Sequence, residues 1–256
     1  MNQEERLRIW LEEERCAHIH GWDFSHIADR YAEEDDLPWS YRDAVTRYLT
    51  PDSRLLDIDT GGGEFLLSLG RPCRLLAAME GYPPNAALCR EKLGPLGVDF
   101  RMGEGAAARY PFSDQTFDLV LNRHGDFNIG EIKRVLKPGG VFITQQVGAE
   151  NDRELVELLL NPAPPPPFPG QYISLVQERF EAAGFRTLEA QEAFRSIQFR
   201  DVGALVWFAR VIQWEFPGFC VRSCLPNLYR AQDLLERNGR IEGRTHRFLL
   251  AARKPL

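Results

Sequence analysis

Arg54-Leu55-Leu56-Asp57-Ile58-Asp59-Thr60-Gly61-Gly62-Gly63-Glu64-Phe65-Leu66-Leu67-Ser68-Leu69 is the stretch whose reading decides the fold. The apolar residues Leu55, Leu56 and Ile58 predict a strand buried on both faces, as in a parallel sheet. Three consecutive glycines then predict a tight turn, and the apolar run after Glu64 predicts a helix. Glycine is placed where the backbone must take positive φ or where a ligand must approach it closely. The first turn of the following helix offers N–H groups with no partner inside the helix. Glycine-rich turns are common, and this triplet alone fits a plain strand–turn–helix connection equally well. The residues downstream separate the two readings.

A second apolar strand, Leu75 to Met79, ends in Glu80. Its distance from the glycines is close to the ~20 residues that separate a glycine loop from a ribose-binding acid in a nucleotide-binding βαβ unit. A carboxylate at the end of such a strand can accept both ribose hydroxyls. The competing reading is a solvated loop glutamate, and the spacing together with the loop favours the ribose. The dinucleotide fingerprint Gly-x-Gly-x-x-Gly/Ala is not met, because Leu66 stands at its third glycine. The loop mouth also carries Asp57, Asp59 and Glu64, which would repel a pyrophosphate. They suit a ligand with a ribose, no phosphate, and positive charge on an amine and a sulfonium. S-adenosylmethionine has that chemistry.

With these features the sequence resembles the class I S-adenosylmethionine-dependent methyltransferases, of the kind with a methyltransferase type 11-like domain. The family loop Asp-x-Gly-x-Gly-x-Gly falls on Asp57, Asp59, Gly61 and Gly63, with Asp59 standing where the family has its first glycine. Glu80 matches the ribose acid. Glu104, after Val98-Asp99-Phe100-Arg101-Met102, matches the acid that contacts the adenine amino group. Pro111 to Val120 looks like the fourth-strand motif, and Leu136-Lys137-Pro138-Gly139-Gly140-Val141-Phe142-Ile143 looks like the turn into the fifth strand. The segment from Glu104 to Pro111 is longer than the usual family spacing. The resemblance covers about Ser53 to Val147. It implies cofactor contacts from Asp57, Asp59, Thr60, Gly61, Gly63, Glu80, Gly81, Glu104, Gly105 and Asn122. It also implies an α/β, Rossmann-like sheet of seven mostly parallel strands with helices on both faces, an N-terminal helical lid and an insertion before the last strand.

The 256 residues are enough for one α/β domain with insertions. A hydrophobic share of 44% and a charged share of 27% are ordinary for a globular chain. The formal net charge of −6 lacks the basic footprint of phosphate-backbone binding. No apolar run approaches the ~20 residues of a membrane span, and Met1 to Arg8 is polar rather than signal-like, so a cytoplasmic location is expected. Cys16, Cys73, Cys89, Cys220 and Cys224 are odd in number and scattered, which suits reduced thiols.

The expected organisation is a single methyltransferase domain over 1–256. Residues 1–50 form its helical lid, 51–150 the cofactor-binding core and 151–256 the substrate-side insertions and sheet completion. A helix is expected over Asn2 to Ala17 and another to about Tyr48. Strands are expected at 54–59, 74–79, 97–102, 117–122, 140–147, 186–198 and 245–253. Helices fall near 64–70, 84–93, 129–136, 173–183, 202–213 and 227–236. Asn161 to Gly170 (NPAPPPPFPG) reads as a stiff linker or hinge. The aromatics Trp22, Phe24, Trp39 and Tyr41, and Trp207, Phe208, Trp214, Phe216 and Phe219, suit core packing or the lining of an acceptor pocket.

Methyl transfer from a sulfonium needs mainly alignment of donor and acceptor. A base is required only if the acceptor must lose a proton. Asn122-Arg123-His124 follows the fourth strand, where the family places substrate-facing groups. His124 is the candidate base, set against a loop histidine with a structural hydrogen bond. Arg123, His124, Trp39 and Trp214 are the candidate substrate contacts. Neither Cys16-x-His18-x-His20 nor Cys220-x-x-x-Cys224 matches a strong zinc spacing, so no metal is expected. A small-molecule acceptor is favoured. Two alternatives stay open. One is a ribosomal or transfer RNA base methyltransferase using arginines such as Arg195, Arg200, Arg210, Arg222, Arg230, Arg237, Arg240 and Arg244. The other is a non-catalytic cofactor-binding or regulatory protein, motivated by Asp59. The sequence leaves the oligomeric state undetermined.

Overall fold

The computed structural model describes residues 2–18 and 23–256, so His20, Gly21 and Trp22 lie outside the described residues. In chain order the elements are α1 (Gln3–Cys16), β1 (Tyr31–Glu33), α2 (Tyr41–Thr46), β2 (Leu55–Ile58), α3 (Glu64–Ser68), β3 (Leu76–Glu80), α4 (Pro83–Leu93) and β4 (Asp99–Met102). There follow β5 (Phe117–Arg123), α5 (Ile129–Val135), β6 (Leu136–Val147), α6 (Arg153–Leu159), α7 (Ile173–Ala182), β7 (Arg186–Phe199), α8 (Val202–Val211), α9 (Leu225–Asn238) and β8 (Ile241–Arg253). They fall into two compact units. One comprises Met1–Leu37, Gly148–Pro169 and Ala193–His246, and the other Pro38–Val147, Gly170–Glu192 and Arg247–Leu256.

Among the described residues the sheet has eight strands in the order β1-β7-β8-β6-β5-β2-β3-β4, one more than the seven expected. The extra strand, β1, is the three residues Tyr-Ala-Glu, paired antiparallel to β7 from Tyr31↔Phe199 to Glu33↔Ile197. Three residues are too few to show a period-two pattern, so sequence reading passes over them. The pairs β5–β6, β2–β5, β2–β3 and β3–β4 are parallel, and β8 runs antiparallel to β6. The sheet is therefore mixed, with a parallel centre. Two long strands start earlier than expected, β6 at Leu136 and β8 at Ile241. Helix α6 was not anticipated at all.

The second unit shows why the centre is parallel. Every residue of β2 and β3 is buried. Side chains alternate between two apolar layers, as a pleated strand requires. Leu56, Ile58, Ala77, Met79, Val120 and Phe142 face one layer, completed by Ile132, Val135, Val176 and Phe180 of α5 and α7. Leu55, Leu76, Ala78, Leu119, Val141 and Ile143 face the other, completed by Ala44 and Val45 of α2, Leu66 of α3 and Leu93 of α4. With both faces covered, a ligand can reach such a sheet at its strand ends.

The first unit is organised around α8, in which all residues but Arg210 are buried. Around it lie Trp10 of α1, Val156 and Leu159 of α6, Phe216, Phe219, and Leu228 of α9. A helix apolar on every side must be surrounded by other elements. This one is surrounded by parts from all three segments of the unit.

Candidate active site at the strand ends

The loops after β2, β3, β4 and β5, all in the second unit, gather the residues singled out by the sequence. After β2 the backbone turns through three left-handed positions: Asp59 (φ 53°), Gly61 (φ 63°) and Gly63 (φ 76°). Glycine takes this conformation without strain, and aspartate is one of the few other residues that tolerates it. Gly63 then caps α3. A Cβ there would lie 2.8 Å from Leu93 Cδ2, so a glycine is needed for the loop to lie against α4.

Glu80 ends β3 in a buried position. Its carboxylate accepts the Gly61 N–H at 2.9 Å and the Tyr82 N–H at 2.8 Å. The acid thus fixes the glycine turn and the start of the next loop together. A carboxylate has about four acceptor positions, so two remain beyond these bonds. Gly81 lies under Glu104, since a Cβ on Gly81 would be 2.3 Å from Glu104 Cγ. Glu104 itself is exposed on the rim, as is the ring of Tyr82.

Asp57 is buried and accepts the Thr60 hydroxyl at 2.6 Å. Burial, with the nearby Glu80 charge, pushes its pKa up to about 6 against the pull of Thr60 and Arg123. Asp59 reaches across the rim, and its Oδ1 accepts the Gly105 N–H at 3.0 Å. A Cβ on Gly105 would fall 2.6 Å from Asp59 Oδ2, and one on Gly125 2.7 Å from the same oxygen. The glycines of two neighbouring loops therefore make room for this carboxylate. Burial, then Glu80, Asp126 and Asp57, push the Asp59 pKa up to about 7 against the Gly105 hydrogen bond. Tyr110 steadies the Gly105 loop from below, donating its hydroxyl to the Gly105 carbonyl at 2.7 Å and accepting the Asn128 N–H at 2.9 Å.

Asn122, at the end of β5, is fully buried and its side chain is committed inward. Its amide donates to the carbonyls of Ile58 and Asp126, and its Oδ1 accepts from Gln146 and Thr144. It holds the β2 and β5 loops at a common height. His124 has positive φ (58°), and its ring Nε2 lies 3.3 Å from Gln145 Nε2. Gln145 in turn accepts the Trp39 indole N–H at 2.8 Å. The residue keeps exposed area. Packing around the imidazole, with the positive charges of Arg247 and Arg123, pushes its pKa below the ordinary histidine value. Such an imidazole is neutral at pH 7 and a weak base. The Arg123 guanidinium packs over the rings of Phe65 (5.2 Å) and Tyr41 (5.9 Å).

Of the expected site residues, Trp214 belongs to the other unit, where it is 44% exposed. The remainder line or support the rim just described. Sequence reading missed Gln145, the link between Trp39 and His124. It also missed Gly125 and Tyr110. Gln145 follows the apolar Val141-Phe142-Ile143 of β6, and only its register opposite Arg123 places it beside His124.

Comparison with protein families matches residues 56–144 to a family described as a methyltransferase domain. That span holds every rim residue from Asp57 to Arg123 and His124. Over that span the chain is similar to class I methyltransferases. It is 32% identical over 136 residues to the demethylmenaquinone methyltransferase of Thermus thermophilus, covering 47% of this chain and 62% of that protein. It is also 32% identical over 113 residues to the sterol 4-C-methyltransferase strm-1 of Caenorhabditis elegans, covering 41% of this chain and 34% of that protein. The chain thus spans less than two thirds of these relatives. Among solved structures it resembles a candidate methyltransferase of Bacillus halodurans C-125, with a TM-score of 0.58, 17% identity and coverage of 85% of this chain and 99% of that one. At that identity the likeness concerns the fold.

Proposed function

We propose that this chain transfers the methyl group of S-adenosylmethionine to a small organic acceptor. The observation that carries the reading is the Glu80 carboxylate, buried at the end of β3 and bonded to the Gly61 N–H of the glycine turn. It has acceptor capacity left for a ribose, in a mouth lined by Asp57 and Asp59 that disfavours phosphate. The site fits the cofactor on a second count. A Cβ on Gly61 would meet nothing within 4 Å, so the turn faces open space rather than packed side chains.

In this reading Glu80 holds the ribose, Glu104 the adenine amino group, and the exposed Tyr82 ring offers a wall for the base. Asp57 and Asp59 supply negative charge toward the ligand's cationic end. The cofactor supplies a methyl group already activated on a sulfonium. The chain's part is then to orient the acceptor against it and exclude water. His124, with Gln145 and Trp39 behind it, presents a neutral imidazole to the acceptor side. It can hydrogen-bond an acceptor, and its weak basicity suits acceptors that need little help to lose a proton. Arg123 can meet an anionic group.

A small acceptor is supported by the names of the two curated relatives, both of which act on small molecules. Three of the eight arginines that could have marked an RNA surface are already in ion pairs. Arg195 pairs with Asp36, Arg240 with Glu242 and Arg244 with Glu154. Among the described residues no helix is long and apolar enough to cross a membrane.

Titration calorimetry with S-adenosylmethionine, S-adenosylhomocysteine and NAD tests the reading. Micromolar binding of the first two without the third is expected. Failure of both methyl-cycle ligands to bind at millimolar concentration refutes it.

A further inference from the structure

A second group of reactive side chains lies in the first unit. Glu13 and Cys16 stand three residues apart on the last turn of α1 and so share one face. His26 comes from the turn that follows the N-terminal segment. The His26 Nε2 is 2.7 Å from Glu13 Oε2 and 3.8 Å from Cys16 Sγ, and Sγ is 3.9 Å from the same Glu13 oxygen. Among the described residues this is the only trio of His, Cys, Asp or Glu whose ligand atoms converge so closely.

Three features indicate more than a chance ion pair. A triangle with those three sides has a circumscribed radius of about 2.1 Å, against zinc bond lengths of ~2.0–2.1 Å to N and O and ~2.3 Å to S. One point can therefore lie at bonding distance from all three atoms with sub-ångström adjustment. Next, the ligands are held from behind. The other Glu13 oxygen accepts from Arg30 Nη1 at 2.7 Å, which leaves Oε2 aimed at the centre. The His26 ring stacks on the buried Trp207 at 5.3 Å and 26°, which fixes its plane. Such outer partners are what orient metal ligands in established sites. Finally, Gly203 of α8 leaves room for the carboxylate, since a Cβ there would lie 3.2 Å from Glu13 Cγ.

We propose that Glu13, Cys16 and His26 bind one zinc-class divalent cation. A thiolate, an imidazole and a carboxylate form a mixed soft and borderline donor set, which suits zinc rather than calcium or magnesium. Three protein ligands leave a fourth position for water, and the His26 side chain is 44% exposed. The ion would replace the Glu13–His26 hydrogen bond and tie the end of α1 to the 25–27 turn. This site is independent of the methyl-transfer reading, and its test does not use activity.

The test loads the reduced, chelator-treated full chain with cobalt(II), then competes zinc against a chromogenic chelator. One equivalent of cobalt should bind and give a near-ultraviolet thiolate-to-cobalt charge-transfer band, which one equivalent of zinc should abolish. Cys16→Ser, which breaks no ion pair, should lose the band. Outer-shell partners alone are worth about 10–100-fold in metal affinity, so Cys16→Ser and His26→Ala should each weaken zinc binding by about tenfold or more. Cys220→Ser should change neither readout. Absence of stoichiometric binding overturns the proposal. So does a charge-transfer band that survives in a Cys16→Ser protein whose melting curve is unchanged.

Discussion

The strand-end rim and the first unit are built on opposite principles. The rim is polar, and its parts follow one another along the chain, each loop directly after its strand. The first unit is apolar and is assembled from three separated stretches around a helix buried on every side. A rim of this kind depends on a few hydrogen bonds of fixed direction, such as those of Glu80 and Asp59. The first unit depends on volume, to which many side chains contribute and few are individually specified. Substitutions should therefore separate the two: core truncation should show in stability, and rim substitution in ligand affinity.

The largest effect is expected from Trp10→Ala. Trp10 is 2% exposed and sits edge-on to Tyr229 at 5.4 Å. Truncating a large buried aromatic costs about 3–5 kcal/mol, measurable by urea or thermal unfolding. A loss under 1 kcal/mol would mean that the first unit repacks freely, and the contrast would fail. Next is Glu80→Ala, read by calorimetry rather than melting. Hydrogen bonds to a charged group are worth about 1.5–3 kcal/mol. Loss of the ribose contact should thus weaken S-adenosylmethionine binding by about ten- to hundredfold, and Glu80→Gln should retain more affinity than Glu80→Ala. Equal affinity in all three proteins would remove Glu80 from the site.

A smaller pair of substitutions probes the turn itself. Gly61 and Gly63 both have positive φ, and alanine in that region costs about 1–2 kcal/mol. Gly63 carries a second cost, because its Cβ would press on the fully buried Leu93, whereas that of Gly61 meets nothing within 4 Å. Gly63→Ala should therefore lower the melting temperature more than Gly61→Ala. The reverse order would show that the turn does not rest against α4.

The same contrast explains what could be read beforehand. The β2 loop, Glu80 and the parallel centre were legible because each is a local signal: an apolar run, a glycine cluster, an acid at a set interval. The role of Gln145 was not, because it depends on β6 lying beside β5 with Gln145 opposite Arg123. Nor could the sequence show that Asp59 would reach Gly105, 46 residues away, although the aspartate in a glycine position was visible as a departure. In the first unit the aromatic segment around Trp207 and Phe216 was recognised as core or pocket. Its partners on α1, α6 and α9 are separated by up to two hundred residues, so no local pattern announces them. The three-residue β1 lacked the length to declare itself.

Asp59 offers the most discriminating measurement of the rim, since its pKa of about 7 and that of Asp57, about 6, both lie above the unfolded value of about 3.9. Between those limits the folded chain binds more protons than the unfolded one. This contribution to stability is then full below about pH 4 and is lost as pH rises through about 7. Asp59→Asn should flatten the fall in melting temperature between about pH 5 and pH 8. Ligand binding should show the opposite sign. A sulfonium beside these acids favours their ionised forms, so S-adenosylmethionine should bind more tightly as pH rises from about 6 to 8 and should release protons on binding. S-adenosylhomocysteine, with a neutral sulfur, should show a weaker trend. Calorimetry in two buffers of different ionisation enthalpy reads the proton release directly. Asp59→Asn should reduce it for the cationic ligand. If both ligands instead show the same pH dependence, and Asp59→Asn leaves it intact, then Asp59 organises the Gly105 loop without sensing the charge of the cofactor.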